Sequence, residues 1–349
     1  MLQTDLLLAA FEKLGSEMLD ISTGESHSST AEAYEKLIGE AHAENRWFIP
    51  QNIKKALANI GHSLTNQNIN AWLLPYNLKD RNSETAKVVG IVMAGNIPLV
   101  GFHDFLCVLF SGHKVLAKLS SDDRKILPFL ASRLFEFYPD LKNYVGFTEE
   151  KLEGFDAIIA TGSNNTSRYF EYYFGKYPHI IRKNRNGVAV ISGHEKVASF
   201  GRLGEDVFLY FGLGCRNVSK LYVPEGYDFI PLLHALEEFG EVLNTSKYKN
   251  NYDYYRSIYL INKVEHLDNG VIMITPNTQL ASPLSVLHYE EYKSQDELKN
   301  TLNGLEDEIQ CIVSEDKTLP GAIPFGQSQK PHLWDYADGL DTMVFLMNL

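Results

Sequence analysis

From Lys87 onward, short apolar runs alternate with amphipathic ones, and this alternation constrains the fold more than any other feature of the chain. KVVGIVMAG (87–95) reads as a buried strand and NIPLVGFHDFLCVLFSG (96–112) as a helix ended by Gly112. HKVLAKLS (113–120) is the next strand, DDRKILPFLASRLFEFY (122–138) the next helix, FDAIIATGS (155–163) a third strand and NTSRYFEYYFG (165–175) a further helix. A β-α-β-α-β run of this kind predicts a parallel, doubly wound sheet. Ligands on such sheets bind at the carboxyl ends of the strands, which singles out AGNIP (94–98) and ATGSNNTS (160–167).

A second set begins at Gly187. GVAVISG, KLYVPEG, YRSIYLIN, VIMITP, PLSVLHYE and EIQCIVSE read as strands. DFIPLLHALEEFG and SQDELKNTLNGL read as helices, and EDVFLYF (205–211) reads as a helix that runs out at Gly212. Before Lys87 the texture is helical: AFEKLGSEML, TAEAYEKLIGEAHAENRW, NIKKALANIGHSL and NINAWLL repeat near the helical period. ESHSST (25–30) is a polar loop in which Thr30 is the expected N-cap. The expected fold class is therefore α/β, with two doubly wound units on parallel sheets and a helical N-terminal segment. The expected divisions are 1–84 (helical, packing on the following domain), 85–184, 185–330 and 331–349. The last carries DTMVFLMNL, read as a terminal strand that invites pairing with another chain.

The formal charge of −12 argues against nucleic-acid binding, which needs concentrated positive charge. One window, 172–194, contains no Asp or Glu but four Lys/Arg and two His; it is either a solvated basic face or a surface near an anionic ligand. No apolar run approaches membrane-spanning length. The first residues, MLQTDLLLAAFEKLGSEMLD, carry acids where a signal peptide needs a basic head. The three cysteines form no metal or disulfide spacing, in keeping with a reducing compartment, and the expected location is the cytoplasm.

Cys107 and Cys311 lie in the apolar runs FLCVLF and EIQCIV, where a thiol behaves as a small hydrophobe. Cys215 stands instead in YFGLGCRNVSKLYVP, on a glycine-flanked turn between a helix and a strand. Taken alone, it is a buried loop thiol or a reactive one.

Five stretches in order resemble the aldehyde dehydrogenase superfamily over roughly 87–330. AGNIPLVGFHDFLCVLFSGHKVLAKLSSDD is similar to its Asn-x-Pro turn, helix and strand ending in Lys-Pro-Ser. ATGS resembles its Thr-Gly-Ser cofactor loop, FGLGCRNVSKLYV its Gly-x-x-Cys nucleophile motif, PLSVLHYEEYKSQDELKNTLN its Gly-Pro-Val strand and helix, and PFGQSQ its Pro-Phe-Gly turn. With ENRWF, AWLLPY and GCRNVSKLYVP, the chain looks most like the acyl-CoA reductase (LuxC-like) branch.

The resemblance implies roles for particular residues. Cys215 would be the nucleophile, and Asn96 with the Cys215 N–H would hold the oxyanion; read by itself, Asn96 could equally be a helix N-cap. Lys118, Ser120 and Ser121 would meet the adenosine side of a cofactor, and Thr161, Gly162 and Ser163 its phosphates or nicotinamide side. Gln279, in TQLASPLSV, stands where the family has a glutamate that contacts the nicotinamide ribose. Ser121 is neutral where the family often has an acid, which makes NADPH the expected cofactor, with NADH the alternative and Asp122 and Asp123 close by. The family's Glu-Leu-Gly-Gly base falls on IIRKNRNGV, which has no carboxylate. Without that base, water attack on a thioester is slow, whereas a CoA thiol leaves unaided.

The resemblance thus implies an NADP-dependent acyl-CoA reductase. Its partners would be acyl-CoA or another activated acyl donor, an acyl-donor protein among the alternatives, no metal, and a second copy of the chain in a homodimer or larger assembly. The rival readings are an oxidising aldehyde dehydrogenase and a noncatalytic binding subunit of the same superfamily.

Overall fold

The computed structural model describes residues 2–24, 28–76, 78 and 86–349. The chain divides into two compact units, 1–184 with 332–349 and 185–331. The expected boundary at 84/85 lies outside the described residues, as does the 25–27 part of the ESHSST loop.

Unit 1 opens with four helices, α1 (Thr4–Thr23), α2 (Ser29–Glu44), α3 (Pro50–Ser63) and α4 (Asn66–Leu73). The cap of α2 is Ser28 rather than Thr30: its backbone is extended and its hydroxyl accepts the Ala31 N–H. There follow β1 (Val88–Val92), α5 (Phe102–Phe110), β2 (Lys114–Lys118), α6 (Ile126–Phe137), β3 (Val145–Thr148), β4 (Ala157–Thr161), α7 (Asn164–Phe174) and β5 (His179–Arg182). The five strands form an all-parallel sheet ordered β3-β2-β1-β4-β5. Two of them, β3 and β5, are four-residue edge strands that the sequence pattern did not mark. The order reverses between β1 and β4, so the crevice expected of such a sheet lies at the carboxyl ends of those two strands.

α5 is apolar on nearly every side, and the fold puts it inside. Phe11 of α1 packs against Phe102, Phe105 and Phe110, and Trp72 of α4 packs edge-on against Phe110. The one charge on this helix, Asp104, is buried and paired with both terminal nitrogens of Arg182.

Unit 2 holds β6 (Asn186–Val190), α8 (Val197–Phe208), β7 (Val218–Pro224), α9 (Ile230–Leu236), α10 (Ser246–Asn262), β8 (Leu267–Asp268), β9 (Met273–Pro276), β10 (Val286–Tyr292), α11 (Gln295–Gly304) and β11 (Ile309–Val313). Its sheet is ordered β11-β6-β7-β10-β9-β8 and is parallel except for the short β8–β9 pair. One face is covered by α11 through Leu298 and Leu302 against Val188, Val190 and Tyr222. YRSIYLIN, expected as a strand, is the second half of α10. Its β-forming residues are outweighed by the spacing of Tyr248, Tyr252, Tyr255 and Tyr259, which brings the tyrosines to one helix face. The first two are buried and the last two pack on Met273 and Val286.

The expected terminal strand is also corrected. Residues 342–347 form α12 (Thr342–Met347), capped by Asp341, whose carboxylate accepts the Val344 N–H. The helix belongs to unit 1 itself. Met343 and Leu346 are fully buried, Arg182 donates to Thr342 Oγ1 at 3.0 Å, and the His113 ring nitrogen Nε2 donates to the Leu346 carbonyl at 2.8 Å. Upstream, Tyr76 donates to Asp341, and the Trp72 indole N–H donates to the Tyr336 hydroxyl. A segment tied down at this many points has no free strand edge to offer.

Candidate active site

In unit 1 the register brings three turns to one edge of the sheet. Val92, which ends β1, pairs with Lys118 on one side and Ala160 on the other, so the turns after β1, β2 and β4 open together. Asn96 sits in the first, exposed. It does not cap a helix, because α5 begins only at Phe102 and Leu99 takes a left-handed φ of 64° in the turn before it. That turn is propped from below. Gly95 lies so close to the second turn that a Cβ there would come within 2.4 Å of Ser120 Oγ. The Leu99 N–H donates to Asp123 Oδ2 at 2.8 Å. Asp123 is thus turned inward under the Asn96 turn, and burial pushes its carboxyl up to about 6.

Ser121 and Asp122 are exposed beside it, while the Ser120 hydroxyl accepts the Asp122 N–H. Lys118 Nζ donates to the Glu150 carbonyl at 2.7 Å, past the end of β3. After β4, Ser163 caps α7 by accepting the Thr166 N–H, and a Cβ on Gly162 would meet Phe170 and Thr166. The open first turn of α7 presents N–H groups to the same edge.

In unit 2, Cys215 is exposed on the turn between α8 and β7. The approach is strained: Tyr210, Phe211 and Gly212 are consecutive left-handed residues, at φ 56°, 59° and 78°. Asn217, buried, holds this path. Its amide nitrogen donates to the Asp206 and Leu209 carbonyls at 2.9 and 2.8 Å, and its oxygen accepts the Gly214 N–H at 2.8 Å. Asp206 in turn accepts the N–H groups of Gly326 and Ser328, so the Pro-Phe-Gly turn is bound to the helix that leads to the cysteine. Neither residue stands out in the sequence by any motif. The available signal was an acid on the apolar helix EDVFLYF and an amide two residues after the cysteine.

The other two thiols, one buried and one half-buried, are raised by desolvation. Cys107 is completely buried and its thiol is pushed up; that of Cys311 is pushed to about 12. Cys311 donates to the Arg216 carbonyl, which is close to the backbone of Gly187. Gln279 is exposed in the segment between β9 and β10, and the Leu280 carbonyl beside it accepts from Ser219, four residues past the cysteine.

The carboxylate-free window is less open to an anion than its composition suggests. Arg182 is buried on Asp104, and Arg185 donates to the carbonyls of Glu306 and Ile309. Among the described residues no group of His, Cys, Asp and Glu could hold a metal ion, and no helix is long and apolar enough to cross a membrane.

A scan against protein-family models gives no match, and neither does a search of curated protein sequences. Solved structures do match. An aldehyde dehydrogenase from Bacillus cereus, described as an NAD+ complex, is 12% identical with a TM-score of 0.61, over 91% of this chain and 73% of that one. The Mycobacterium tuberculosis aldehyde dehydrogenase complexed with NAD+ is 12% identical with a TM-score of 0.59, over 91% and 76%. A propionaldehyde dehydrogenase from the Clostridium phytofermentans fucose-utilisation microcompartment is 9% identical with a TM-score of 0.58, over 91% and 80%. With its two parallel sheets, its helical N-terminal segment and these neighbours, the chain has the aldehyde dehydrogenase fold.

Proposed function

We propose that the protein is an acyl-CoA reductase working through Cys215. The observation that carries this reading is the exposed thiol on a turn fixed by Asn217, in a chain whose other two cysteines are buried or half-buried, with thiols raised by desolvation. The Cys215 thiolate attacks the acyl carbonyl, the C–S bond to CoA breaks, and CoA leaves as its thiolate. A nicotinamide cofactor, when bound, supplies the hydride that reduces the resulting thioester. The Asn96 amide and the Cys215 N–H hold the oxyanion. Collapse of the thiohemiacetal breaks the bond to Cys215 and releases an aldehyde.

The residues at the edge of the unit 1 sheet suit such a cofactor. Gly95 allows the close approach of two turns, α7 offers an N-terminus for phosphate, and Lys118, Ser120 and Ser121 follow β2 for the adenosine side. Thr161, Gly162 and Ser163 take the phosphate or nicotinamide side, and Gln279 the nicotinamide ribose. Asp123 is engaged with Leu99, which leaves the neutral Ser121 to face a 2′-phosphate and supports NADPH, whereas the exposed Asp122 carboxylate beside it favours the free 2′-hydroxyl of NADH. The absence of a carboxylate in 172–194 and the engagement of Asp206 by two N–H groups support reduction over hydrolysis.

Spectrophotometry of acyl-CoAs of increasing length with NADPH and NADH tests the proposal; consumption of reduced cofactor together with release of free CoA is expected. The names of the structural neighbours favour a second reading, oxidation of aldehydes to acids, and aldehyde plus NAD+ giving free acid would establish it. A homodimer or larger assembly is part of the proposal, and light scattering on the intact chain decides it.

A further inference from the structure

Lys220 lies in the middle of β7 with its side chain wholly buried, a place that lysine rarely occupies. Its Nζ donates to the Asn277 carbonyl and to Glu290 Oε2, the latter at 2.8 Å. On the next strand His288 is the register partner of Lys220, and it too is buried. Its Nδ1 stands 2.9 Å from the Gln279 carbonyl, which can only accept, so Nδ1 carries the proton. Ser219 is the extra residue of a bulge in β7: Gly187 pairs with Val218, but Val188 already pairs with Lys220. A bulge re-aims side chains, and the Ser219 hydroxyl donates to the Leu280 carbonyl at 2.8 Å. Finally, Asn277 Oδ1 accepts the Gln279 N–H at 2.9 Å.

Within four consecutive residues, then, three carbonyls receive a side-chain donor, two of them from buried residues and one from the half-buried Ser219, and the Gln279 amide has a side-chain acceptor. The Gln279 side chain itself is exposed. The main chain is held on both sides of Gln279, whose exposed side chain, with that of Thr278 before it, faces outward. Neutral donors serve the Gln279 and Leu280 carbonyls. At Asn277 a buried ammonium is used instead, which demands its own carboxylate but gives the stronger, charge-assisted bond.

The geometry points to Lys220, with His288 and Ser219, as positioning residues that present Gln279 to the ribose of a nicotinamide cofactor. This rests on the reading of Gln279 given above. Three variants test it: Lys220→Met, Gln279→Ala and the double variant, each titrated with NADPH and NADH by the fluorescence of the reduced nicotinamide. Each single variant should weaken binding of the preferred cofactor by about tenfold, within the range over which contacting groups couple, and the double variant should be no weaker than Gln279→Ala alone. Without any cofactor, hydrogen exchange across 277–280 should accelerate about tenfold in Lys220→Met as the loop opens locally.

Losses that multiply in the double variant, or Lys220→Met binding and exchanging like the parent, would overturn the positioning role. A silent Gln279→Ala would overturn the reading beneath it. If Lys220→Met does not accumulate as folded protein, Ser219→Ala, which removes only the donor to Leu280, carries the same comparison.

Discussion

Asn217→Ala is the sharpest probe of the cysteine turn, because one buried side chain holds three backbone groups there. The variant loses the donor to the Asp206 and Leu209 carbonyls and the acceptor of the Gly214 N–H, all at 2.8–2.9 Å. A net hydrogen bond contributes about 1 kcal/mol, and a buried group left bare costs about 1–3 kcal/mol. Three such losses amount to roughly 3 kcal/mol, with more expected if water cannot reach the vacated space. For a unit of this size that corresponds to a fall in melting temperature of roughly 6–12 °C. The local effect should exceed the global one. Tyr210 and Phe211 hold left-handed φ values of 56° and 59°, each costing on the order of 1 kcal/mol, and the Leu209 carbonyl tied by Asn217 immediately precedes them. Released, this path relaxes and the cysteine turn loses its fixed orientation. Differential scanning calorimetry gives the stability, and mass spectrometry after mixing with an acyl thioester gives the acylation rate of Cys215. A melting temperature within 2 °C of the parent, or a clear loss of stability with acylation at the parental rate, would refute the idea that Asn217 orients the nucleophile.

Cys215→Ser should abolish acyl-enzyme formation, whereas Cys107→Ser and Cys311→Ser should leave it largely intact. Iodoacetamide should label Cys215 first, and an acyl group surviving denaturation of Cys215→Ser would sink the assignment. Asn96→Ala should cut turnover by about 10²–10³ with little change in cofactor affinity, as expected for one lost oxyanion donor; acylation at the parental rate would leave Asn96 without that role. Asp123 has a folded-state carboxyl raised to about 6, so the stability linked to its protonated form is complete below about pH 4 and lost as pH rises through 6. Melting of the parent relative to Asp123→Asn should therefore worsen between pH 4 and 7, by up to about 3 kcal/mol, and parallel curves would contradict the inward placement of this carboxylate. Truncation after Gly339 removes the buried Met343 and Leu346, worth on the order of 4 kcal/mol of apolar burial; a truncated chain that melts with the parent would show that α12 is dispensable to unit 1.

The alternation of apolar runs carried the architecture well because a central parallel strand is buried on both faces, and burial leaves a readable mark. Val88–Val92 and Ala157–Thr161 are such strands, and the helix Phe102–Phe110 that lies between them in the chain is buried nearly throughout as well. The edge strands Val145–Thr148 and His179–Arg182 are half-exposed and four residues long, too short for a pattern to form. Two errors came from propensity overriding period. Tyr and Ile in YRSIYLIN, and Val and Phe in the C-terminal run, favour strands in isolation, yet both segments are helices in which Tyr255 and Tyr259, and Met343 and Leu346, meet a packed surface at helical spacing.

The site shows the same division at the level of single residues. Turns with glycine and a nucleophile, such as Gly212-Leu213-Gly214-Cys215, are visible in sequence because the chemistry and the backbone demand are carried by the same few letters. Asp206, Asp123 and Lys220 act through main-chain groups that are distant in sequence, Lys220 on a carbonyl 57 residues away, and no local pattern records such a pairing. Asp206 in EDVFLYF and Lys220 in SKLYV left only one trace, a charged residue where the surrounding run demanded an apolar one. Burying such a group is costly unless its partners are supplied, so in a chain of this fold those misplaced letters mark the places where side chains are holding the backbone of the site.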